Sequence, residues 1–166
     1  MWGATWRQAR CRIRNNLLHR FELLRAQYKL RNLAVAKAYR SYGSMIHFQF
    51  GDLCQKIVNR RIHERGEFGL MIEIAAWKIT QHGRCIATNH SGRPAIDRCL
   101  ARFVNVRIRS ARFDDPVSKI EFTRGLGIEL RPDSRLSGDW SGMCNWTLFH
   151  RDEVAIKLDY KGHRLR

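Results

Sequence analysis

Hydrophobic and polar residues alternate most regularly between residues 119 and 130, in the sequence KIEFTRGLGIEL. Apolar side chains recur there at every second position on both sides of a central turn: Ile120, Phe122, Leu126, Ile128 and Leu130. The turn is Thr123-Arg124-Gly125, and glycine readily adopts the backbone conformations that reverse a chain. Alternation with a period of two around such a turn is typical of a β-hairpin with one buried face. The sequence therefore predicts a hairpin over residues 119–130.

The same alternation continues on both sides of this hairpin, from Met45 almost to the C-terminus. It predicts short strands near residues 46–50, 53–62, 68–79, 104–108, 146–148 and 154–158. Short strands joined by tight turns favour antiparallel pairing. Two half-buried sheets of this kind would pack as a β-sandwich or close into a partly open barrel. Strand, turn, strand and a Trp-bearing strand occur in both halves, so we interpret about 45–88 and 102–158 as two pseudo-repeats.

Residues 5 to about 40 contain neither Pro nor Gly, and their apolar side chains recur mostly at steps of three or four. These apolar residues are Trp6, Ile13, Leu17, Phe21, Leu24, Tyr28, Val35 and Tyr39. The spacing predicts one basic amphipathic helix, or two helices broken near residues 31–32. The predicted fold class is therefore α+β, with a helical segment of residues 1–44 before an antiparallel β domain of residues 45–166. Because Met45 opens the β pattern, residues 1–44 could also be an upstream extension of a shorter gene.

The 166 residues carry a formal charge of +16, which is concentrated near the N-terminus. Ten Lys or Arg residues against the single acid Glu22 give residues 1–44 a net charge of +9. Such a segment attracts nucleic acid or an anionic membrane surface. One hypothesis therefore places basic side chains of the helix on phosphates of nucleic acid or of a ribosome: Arg10, Arg12, Arg14, Arg20, Arg25 and Arg31. The alternative is a solvated polar face on a helix that packs against the β domain.

Five widely spaced Cys residues, with no C-x-x-C pair among them, favour neither a disulfide framework nor a closed zinc site. Scattered thiols of this kind are typical of a reducing compartment, so we expect a cytoplasmic protein. No run of 18 apolar residues is present, so no transmembrane helix is predicted. The sequence predicts no metal and no cofactor.

Candidate catalytic residues are few, and each has a simpler structural interpretation. Asp159-Tyr160-Lys161 has the D-x-K form of a Mg²⁺-dependent nuclease site, to which Asp139 could add a carboxylate. The alternative for this tripeptide is a solvated terminal turn. His82, Cys85 and His90 are close in sequence but lack the spacing of a metal or nucleophile site. A non-enzymatic protein is therefore favoured, and a nuclease is the third hypothesis.

The second half combines a strand at 104–108, the hairpin at 120–130, an Asp133-Ser134 loop and a strand bearing Trp146. Residues 70–79 of the first half have a similar arrangement. In this pattern, residues 45–158 resemble a family of small uncharacterised bacterial β-rich proteins, some of them immunity-like. The resemblance implies a small cytoplasmic binding protein carried by accessory or mobile gene cassettes, and it transfers no catalytic residue.

Trp140 stands in the sequence SGDWSG, within an irregular loop of residues 131–143. Because Gly and Ser flank it, Trp140 is a better candidate for an exposed contact than the Trp residues of the alternating strands. The leading hypothesis is therefore a non-enzymatic binding protein with an unknown protein partner, whose contact surface includes Trp140, Asp133 and Asp139. The oligomeric state stays open.

Overall fold

The computed structural model describes residues 21, 23–58, 60–113, 117–133, 144–151, 153–159 and 164–165. Helix α1 includes residues 23–30, and helix α2 is Arg93–Ala101. The strands are β1 Val35–Arg40, β2 Ile46–Phe50, β3 Cys54–Val58, β4 Arg61–Arg65, β5 Phe68–Ile72, β6 Ala76–Gln81, β7 Arg84–Thr88, β8 Ile108–Phe113, β9 Ser118–Phe122, β10 Leu126–Arg131, β11 Cys144–His150, β12 Glu153–Asp159 and β13 Arg164–Leu165.

The strands form two large sheets and one small sheet, and their pairs are antiparallel. The strand order is β1-β2-β5-β11-β12-β13 in the first sheet and β7-β6-β10-β9-β8 in the second, while β3 and β4 form a sheet of their own. The predicted antiparallel, β-rich α+β fold is therefore confirmed. So is the hairpin over residues 119–130, in which Ile120 of β9 faces Ile128 of β10. In the described residues, the large sheets are not closed into a barrel.

A shared hydrophobic core joins the two large sheets. The ring centroid of Phe48 on β2 lies 5.2 Å from that of Phe103 and 6.3 Å from that of Phe122 on β9. Phe113 on β8 likewise lies 4.9 Å from Trp146 on β11. All five rings are almost fully buried. Since burying a large apolar side chain stabilises a protein by about 1.5–3 kcal/mol, these rings hold the inner faces of the sheets together.

The helix expected over residues 5 to about 40 is wrong for its last part. Val35–Arg40 is strand β1, which pairs with β2 on the other side of the boundary predicted between residues 44 and 45. The helix ends before Asn32, which adopts the left-handed conformation, with φ 68°, that Asn tolerates better than most residues. Pairing with β2 satisfies the backbone hydrogen bonds of β1 and buries Val35 completely. This stabilises the strand more than the four-residue spacing of Val35 and Tyr39 would stabilise a helix. Residues 1–20 and 22 of the predicted helix lie outside the described residues.

Two predicted strands have different bounds. The single strand expected over residues 53–62 is the hairpin of β3 and β4, with Arg60 in its turn at φ 62°. The strand expected over residues 104–108 begins only at Ile108, because a turn containing Asn105 at φ 65° follows helix α2. In both cases a residue other than Gly adopts the left-handed conformation, so the turn was not visible in the sequence.

The two halves of the described chain have the same order of elements. The first half, α1-β1-β2-β5-β6-β7, corresponds to the second, α2-β8-β9-β10-β11-β12. In each half, the first three strands lie in one large sheet and the last two in the other. Shifts in strand register also occur at corresponding positions. The shift after Val35 in β1 corresponds to the one after Ile108 in β8, and the shift after Ile79 in β6 corresponds to the one after Leu148 in β11. The main difference is the β3–β4 hairpin, which the second half replaces with the 3-10 turn Thr123–Gly125.

The two halves meet at an isolated antiparallel bridge between Ala34 and Arg107. Two corresponding backbone hydrogen bonds cross between the halves beside it, each 2.8 Å long: Asn32 N–H to the Ile108 carbonyl, and Asn105 N–H to the Val35 carbonyl. Each half is therefore fixed to the other at the start of its first strand.

Two connecting loops begin beside this bridge. The N–H of Gly51, which follows β2, donates to the Ala34 carbonyl at 2.9 Å. The N–H of Thr123, which follows β9, donates to the Arg107 carbonyl at 2.8 Å. Because Ala34 and Arg107 face each other, the loop that carries the β3–β4 hairpin and the Thr123–Gly125 turn begin at the same end of the molecule. We call this end the bridge end.

Candidate nucleic-acid interface

Part of each site predicted from the sequence lies outside the described residues. These residues are Trp140 and Asp139 of the partner surface, and Arg10, Arg12, Arg14 and Arg20 of the nucleic-acid surface. Of the partner surface, the structure places Asp133, which follows β10 and is half-buried. Of the nucleic-acid surface, it places Arg25 and Arg31, which are exposed on and just after helix α1. The protein-partner hypothesis therefore stays a prediction.

The residues considered for enzyme chemistry do not form a described site. Asp159 is the last residue of β12, while Lys161 and Asp139 lie outside the described residues, so the nuclease hypothesis stays a prediction. Within the described ranges, no group of three or more His, Cys, Asp or Glu side chains is placed to hold a metal ion. The described helices also include none with the length and apolar character needed to cross a membrane.

Two tight turns that carry arginines meet at the bridge end. The N–H of His82, in the β6–β7 turn, donates to the carbonyl of Gly125 in the β9–β10 turn at 2.8 Å. Gly125 is required there because its φ is 66° and a Cβ atom would collide with the His82 imidazole. Arg84 follows the first turn at the start of β7, and Arg124 is the central residue of the second. Both arginine side chains are exposed.

Two further exposed arginines flank these turns. The guanidinium of Arg102 donates to Oε1 of Gln81, the last residue of β6, at 2.7 Å. The guanidinium of Arg107 donates to the carbonyl of Asn32, the residue after Arg31, at 2.9 Å. The structure thus brings together four segments of the chain that each carry an exposed arginine. We call these arginines the arginine cluster: Arg84, Arg102, Arg107 and Arg124.

The ion pairs of the described residues lie elsewhere, so no described acid neutralises the arginine cluster. Cations on the outer face of the second sheet, to which β7 and β10 belong, are paired by contrast. There Glu129 binds Lys78 at 3.2 Å, Lys119 at 3.6 Å and Arg131 at 2.7 Å. Burial raises the pKa of the Glu129 carboxyl, but hydrogen bonds and charges from Arg131 and Lys78 outweigh burial and lower it. The cations in the middle of this sheet face are paired with a carboxylate, whereas those of the arginine cluster face solvent.

Sequence reasoning missed the arginine cluster because its members lie far apart, between positions 84 and 124. Arg124 stands in the predicted turn over residues 123–125, and Arg84 follows His82-Gly83, a dipeptide typical of a turn. The pattern therefore indicated two exposed arginines, but it contained nothing to show that the two turns touch. The one general signal was charge, since residues 45–166 carry the remaining +7 of the total.

The base of the β3–β4 hairpin is fixed to the outer face of the first sheet. Lys37 of β1 forms an ion pair with Glu64 of β4 at 3.3 Å. The N–H of Gly66 donates to the side-chain carbonyl of the buried Gln49 at 2.9 Å. These contacts hold the hairpin where it leaves the sheet, and they involve residues at its base rather than at its tip.

A cavity of about 280 Å³ lies beside the base of the hairpin, and its lining includes Tyr39, His47, Gln49, Arg65, Met71 and Phe149. The imidazole of His47 stacks on Tyr39 with ring centroids 4.8 Å apart, and its Nε2 lies 2.7 Å from Oγ of Ser41. Burial, and to a smaller extent the positive charge of Arg65, lower the pKa of His47 from its ordinary value of 6.5. The cavity wall therefore favours a neutral imidazole, and it does not add to the positive surface.

Comparison of the chain with protein-family models gave no match, and neither did comparison with curated proteins or with solved structures. The resemblance to bacterial immunity-like proteins and the cytoplasmic location therefore stay predictions. The function has to be argued from the residues of this chain.

Proposed function

We propose that the protein binds nucleic acid along the sugar–phosphate backbone, with the arginine cluster at the bridge end as its contact surface. One observation carries the proposal: Arg84 and Arg124 lie at two adjoining turns, Arg102 and Arg107 flank these turns, and within the described residues none of the four forms an ion pair although all are exposed. Like charges held close together repel one another unless an anion neutralises them. The planar guanidinium fork binds phosphate oxygens bidentately, so the phosphates of nucleic acid can neutralise such a group of arginines.

Helix α1 extends this surface. Arg107 is hydrogen-bonded to Asn32, the residue after the exposed Arg31, and Arg25 is exposed on the helix itself. Arg25 and Arg31 are both among the basic residues that the sequence associated with phosphate contacts. Contacts to phosphates release counterions, so binding should weaken steeply with salt and depend little on base sequence.

The proposal is tested by replacing Arg84 and Arg124 together with Gln. These residues are exposed and lie in turns, so the fold should tolerate the change. Fluorescence anisotropy with a labelled 20-base-pair duplex would measure Kd between 50 and 200 mM salt. We expect the double variant to bind about tenfold more weakly, and the slope of log K against log salt to fall by about one for each lost phosphate contact.

The matched control replaces Arg93 and Arg112 with Gln. These two residues are also exposed and also lack an ion-pair partner among the described residues, but they lie at the start of α2 and near the end of β8. The control changes net charge by the same amount away from the two adjoining turns. The proposal fails if the wild-type chain binds no nucleic acid at low salt, or if both double variants lose the same affinity.

We also infer that the two halves are copies of one α+β unit, arranged as a two-layer sandwich in which each sheet takes strands from both copies. Corresponding left-handed residues support this inference: Asn32 and Asn105 have φ 68° and 65°, and His82 and Arg151 have φ 49° and 50°. Under such an arrangement, the bridge end lies on an approximate two-fold axis. A surface formed there combines loops from both copies.

A further inference from the structure

Helix α1 packs against the rest of the protein through a face that consists of three core residues: Leu23, Ala26 and Leu30. Another face of the helix carries large apolar side chains that remain in solvent. Phe21, which is also helical, Leu24 and Tyr28 are 68%, 59% and 79% exposed. They follow one another at steps of three and four residues, so they form a single line along the helix surface. We call these three side chains the α1 stripe.

The α1 stripe belongs to the apolar series that predicted an amphipathic helix. Such a series normally marks the face that a helix buries against its own domain. In this protein the stripe does not contribute to the core, because the helix buries a different set of residues. Three adjoining large apolar side chains in solvent indicate a contact surface.

Basic side chains lie next to the stripe on the same helix. Arg25 comes four residues after Phe21 and three before Tyr28, so it neighbours both on the helix surface. Lys29 follows Arg25 by four residues; both are exposed, and neither forms an ion pair within the described residues. A second copy of the chain would bring the same cations to the stripe, and like charges repel. The stripe therefore fits an anionic partner that also presents apolar groups.

A series of hydrogen bonds connects the end of the stripe to the arginine cluster. The N–H of Arg31 donates to the carbonyl of Tyr28 at 3.2 Å, and the carbonyl of the next residue, Asn32, accepts the Arg107 guanidinium. The backbone N–H of Arg107 donates to the threonine hydroxyl of the Thr123–Gly125 turn at 3.0 Å. The α1 stripe and the arginine cluster are therefore parts of one connected region of the fold.

We infer that Phe21 and Tyr28 stack on unpaired bases of a single-stranded nucleic acid whose phosphates are bound by Arg25 and the arginine cluster. This inference rests on the proposed function and adds to it the form of the nucleic acid. Aromatic side chains beside a cationic surface bind single strands with little sequence preference, because every base has a flat face that stacks. In a duplex, neighbouring bases already cover these faces. The protein should therefore prefer single strands to duplex DNA.

The test measures the affinity of the full chain for three probes of one sequence: a single strand of DNA, the same strand of RNA, and the DNA duplex. Fluorescence anisotropy between 50 and 200 mM salt gives both Kd and its salt dependence. We expect the tighter of the two single strands to bind about tenfold more tightly than the duplex, since each stacked base adds about that factor. The affinities of the two single strands distinguish DNA from RNA as the ligand.

A double variant locates this preference. Phe21→Leu and Tyr28→Leu keep apolar, helix-forming side chains at exposed positions and remove only the aromatic rings. The double variant should bind the preferred single strand about tenfold more weakly. Its duplex affinity and its salt dependence should not change, because no phosphate contact is lost. The matched control is Tyr42→Leu, at a side chain 87% exposed between β1 and β2, which should leave all affinities unchanged.

Photocrosslinking of the wild-type complex gives a readout that does not depend on the folding of a variant. Under near-ultraviolet light, 5-iodouracil loses its iodine and forms a bond to an aromatic ring that is stacked on it. Peptide mapping after irradiation with a single strand that contains 5-iodouracil should place crosslinks at Phe21 or Tyr28. Crosslinks at other residues alone would contradict the stacking.

The outcomes separate the two proposals. If the double variant binds single strands as tightly as the wild type, or if Tyr42→Leu loses as much affinity, stacking on α1 is wrong while binding by the arginine cluster stands. Equal wild-type affinity for single strands and duplex also overturns the stacking. Sedimentation with phosphatidylglycerol vesicles would then identify an anionic membrane surface as the contact of the stripe. If the wild-type chain binds none of the three probes, both proposals fail.

Discussion

Ala34 and Arg107 face each other across an isolated antiparallel bridge, and the carbonyl of each accepts the N–H of the residue that begins a connecting loop. Gly51 begins one loop and Thr123 the other. This pairing fixes two segments that are distant in sequence at one end of the molecule. The arginine cluster and the base of the β3–β4 hairpin owe their proximity to it.

Corresponding positions beside this bridge should respond alike to mutation. Asn32 and Asn105 both have positive φ, and Ala is strained in that conformation while Gly is not. We expect Asn32→Ala and Asn105→Ala each to lower the free energy of unfolding by about 1 kcal/mol, and the two Gly variants to change it much less. Urea unfolding measures all four values. A large loss of unfolding free energy in one Ala variant and none in the other would contradict the correspondence of the two halves.

Phe48 is the side chain through which the two sheets share their core. It is fully buried and contacts Phe103 and Phe122. Phe48→Ala should cost about 3–5 kcal/mol in unfolding free energy, and Phe48→Leu about 1–1.5 kcal/mol. Thermal and urea unfolding test both variants, and the milder one gives a value even if Phe48→Ala does not fold. Tyr42→Ala, at an exposed position, should stay within about 0.5 kcal/mol of the wild type.

His47 should make the folded state sensitive to mild acid. Its pKa is lowered in the folded protein by burial and by Arg65, so the unfolded chain binds a proton first as the pH falls. The stability contribution is therefore complete above pH 6.5 and is lost as the pH falls through the folded pKa. The free energy of unfolding should decrease from pH 7.5 to 5.

Substitution of His47 by Phe tests this, since Phe can stack on Tyr39 but cannot titrate. The variant should show a flatter dependence of unfolding free energy on pH over this range. Arg65→Gln should move the pKa of His47, followed by NMR, part of the way back towards 6.5. An unchanged pH dependence in His47→Phe would remove His47 as its source.

Glu129 should govern a second decrease in stability at lower pH. Its pKa is lowered from 4.5 in the folded protein, so its contribution is present above that value and is lost as the pH falls through the folded pKa. Glu129→Gln should cost about 1 kcal/mol at pH 7, because Lys78, Lys119 and Arg131 lose their shared carboxylate. The variant should also lose less stability than the wild type between pH 5 and 3.

Glu121→Gln, on the neighbouring strand β9, makes the same charge change without touching this group of cations. Urea unfolding at several pH values would compare it with Glu129→Gln. Equal costs for the two variants at pH 7 would show that net charge, rather than the contacts of Glu129, sets the effect.

The sequence was most informative where the burial pattern and the local geometry agree. Ile120, Phe122 and Ile128 alternate with polar residues around a short turn, so their strands could be predicted from neighbouring residues alone. Strand β1 could not, because Val35 and Tyr39 are four residues apart and fit a helix equally well. Their strand is decided by pairing with β2, which the local pattern does not contain.

The candidate site was predicted only in part, for the same reason. Exposure of Arg31 and Arg124 follows from a basic helix and a turn, but the approach of the segments that carry them depends on the Ala34–Arg107 bridge. The β3–β4 hairpin was missed because Arg60, rather than Gly, occupies its left-handed turn position. Contacts between distant segments were therefore the part of the site that single-sequence reasoning lacked.

Each large sheet combines strands from both halves, and this has a consequence for synthesis on the ribosome. β5 completes its pairing only with β11, and β6 only with β10, so neither finds its second neighbour until most of the chain has been translated. A nascent or truncated chain therefore presents two unfinished sheets with open edges, which can pair with another nascent chain. The same long-range pairing makes folding slow for a domain of this size, so the interval of exposure is long.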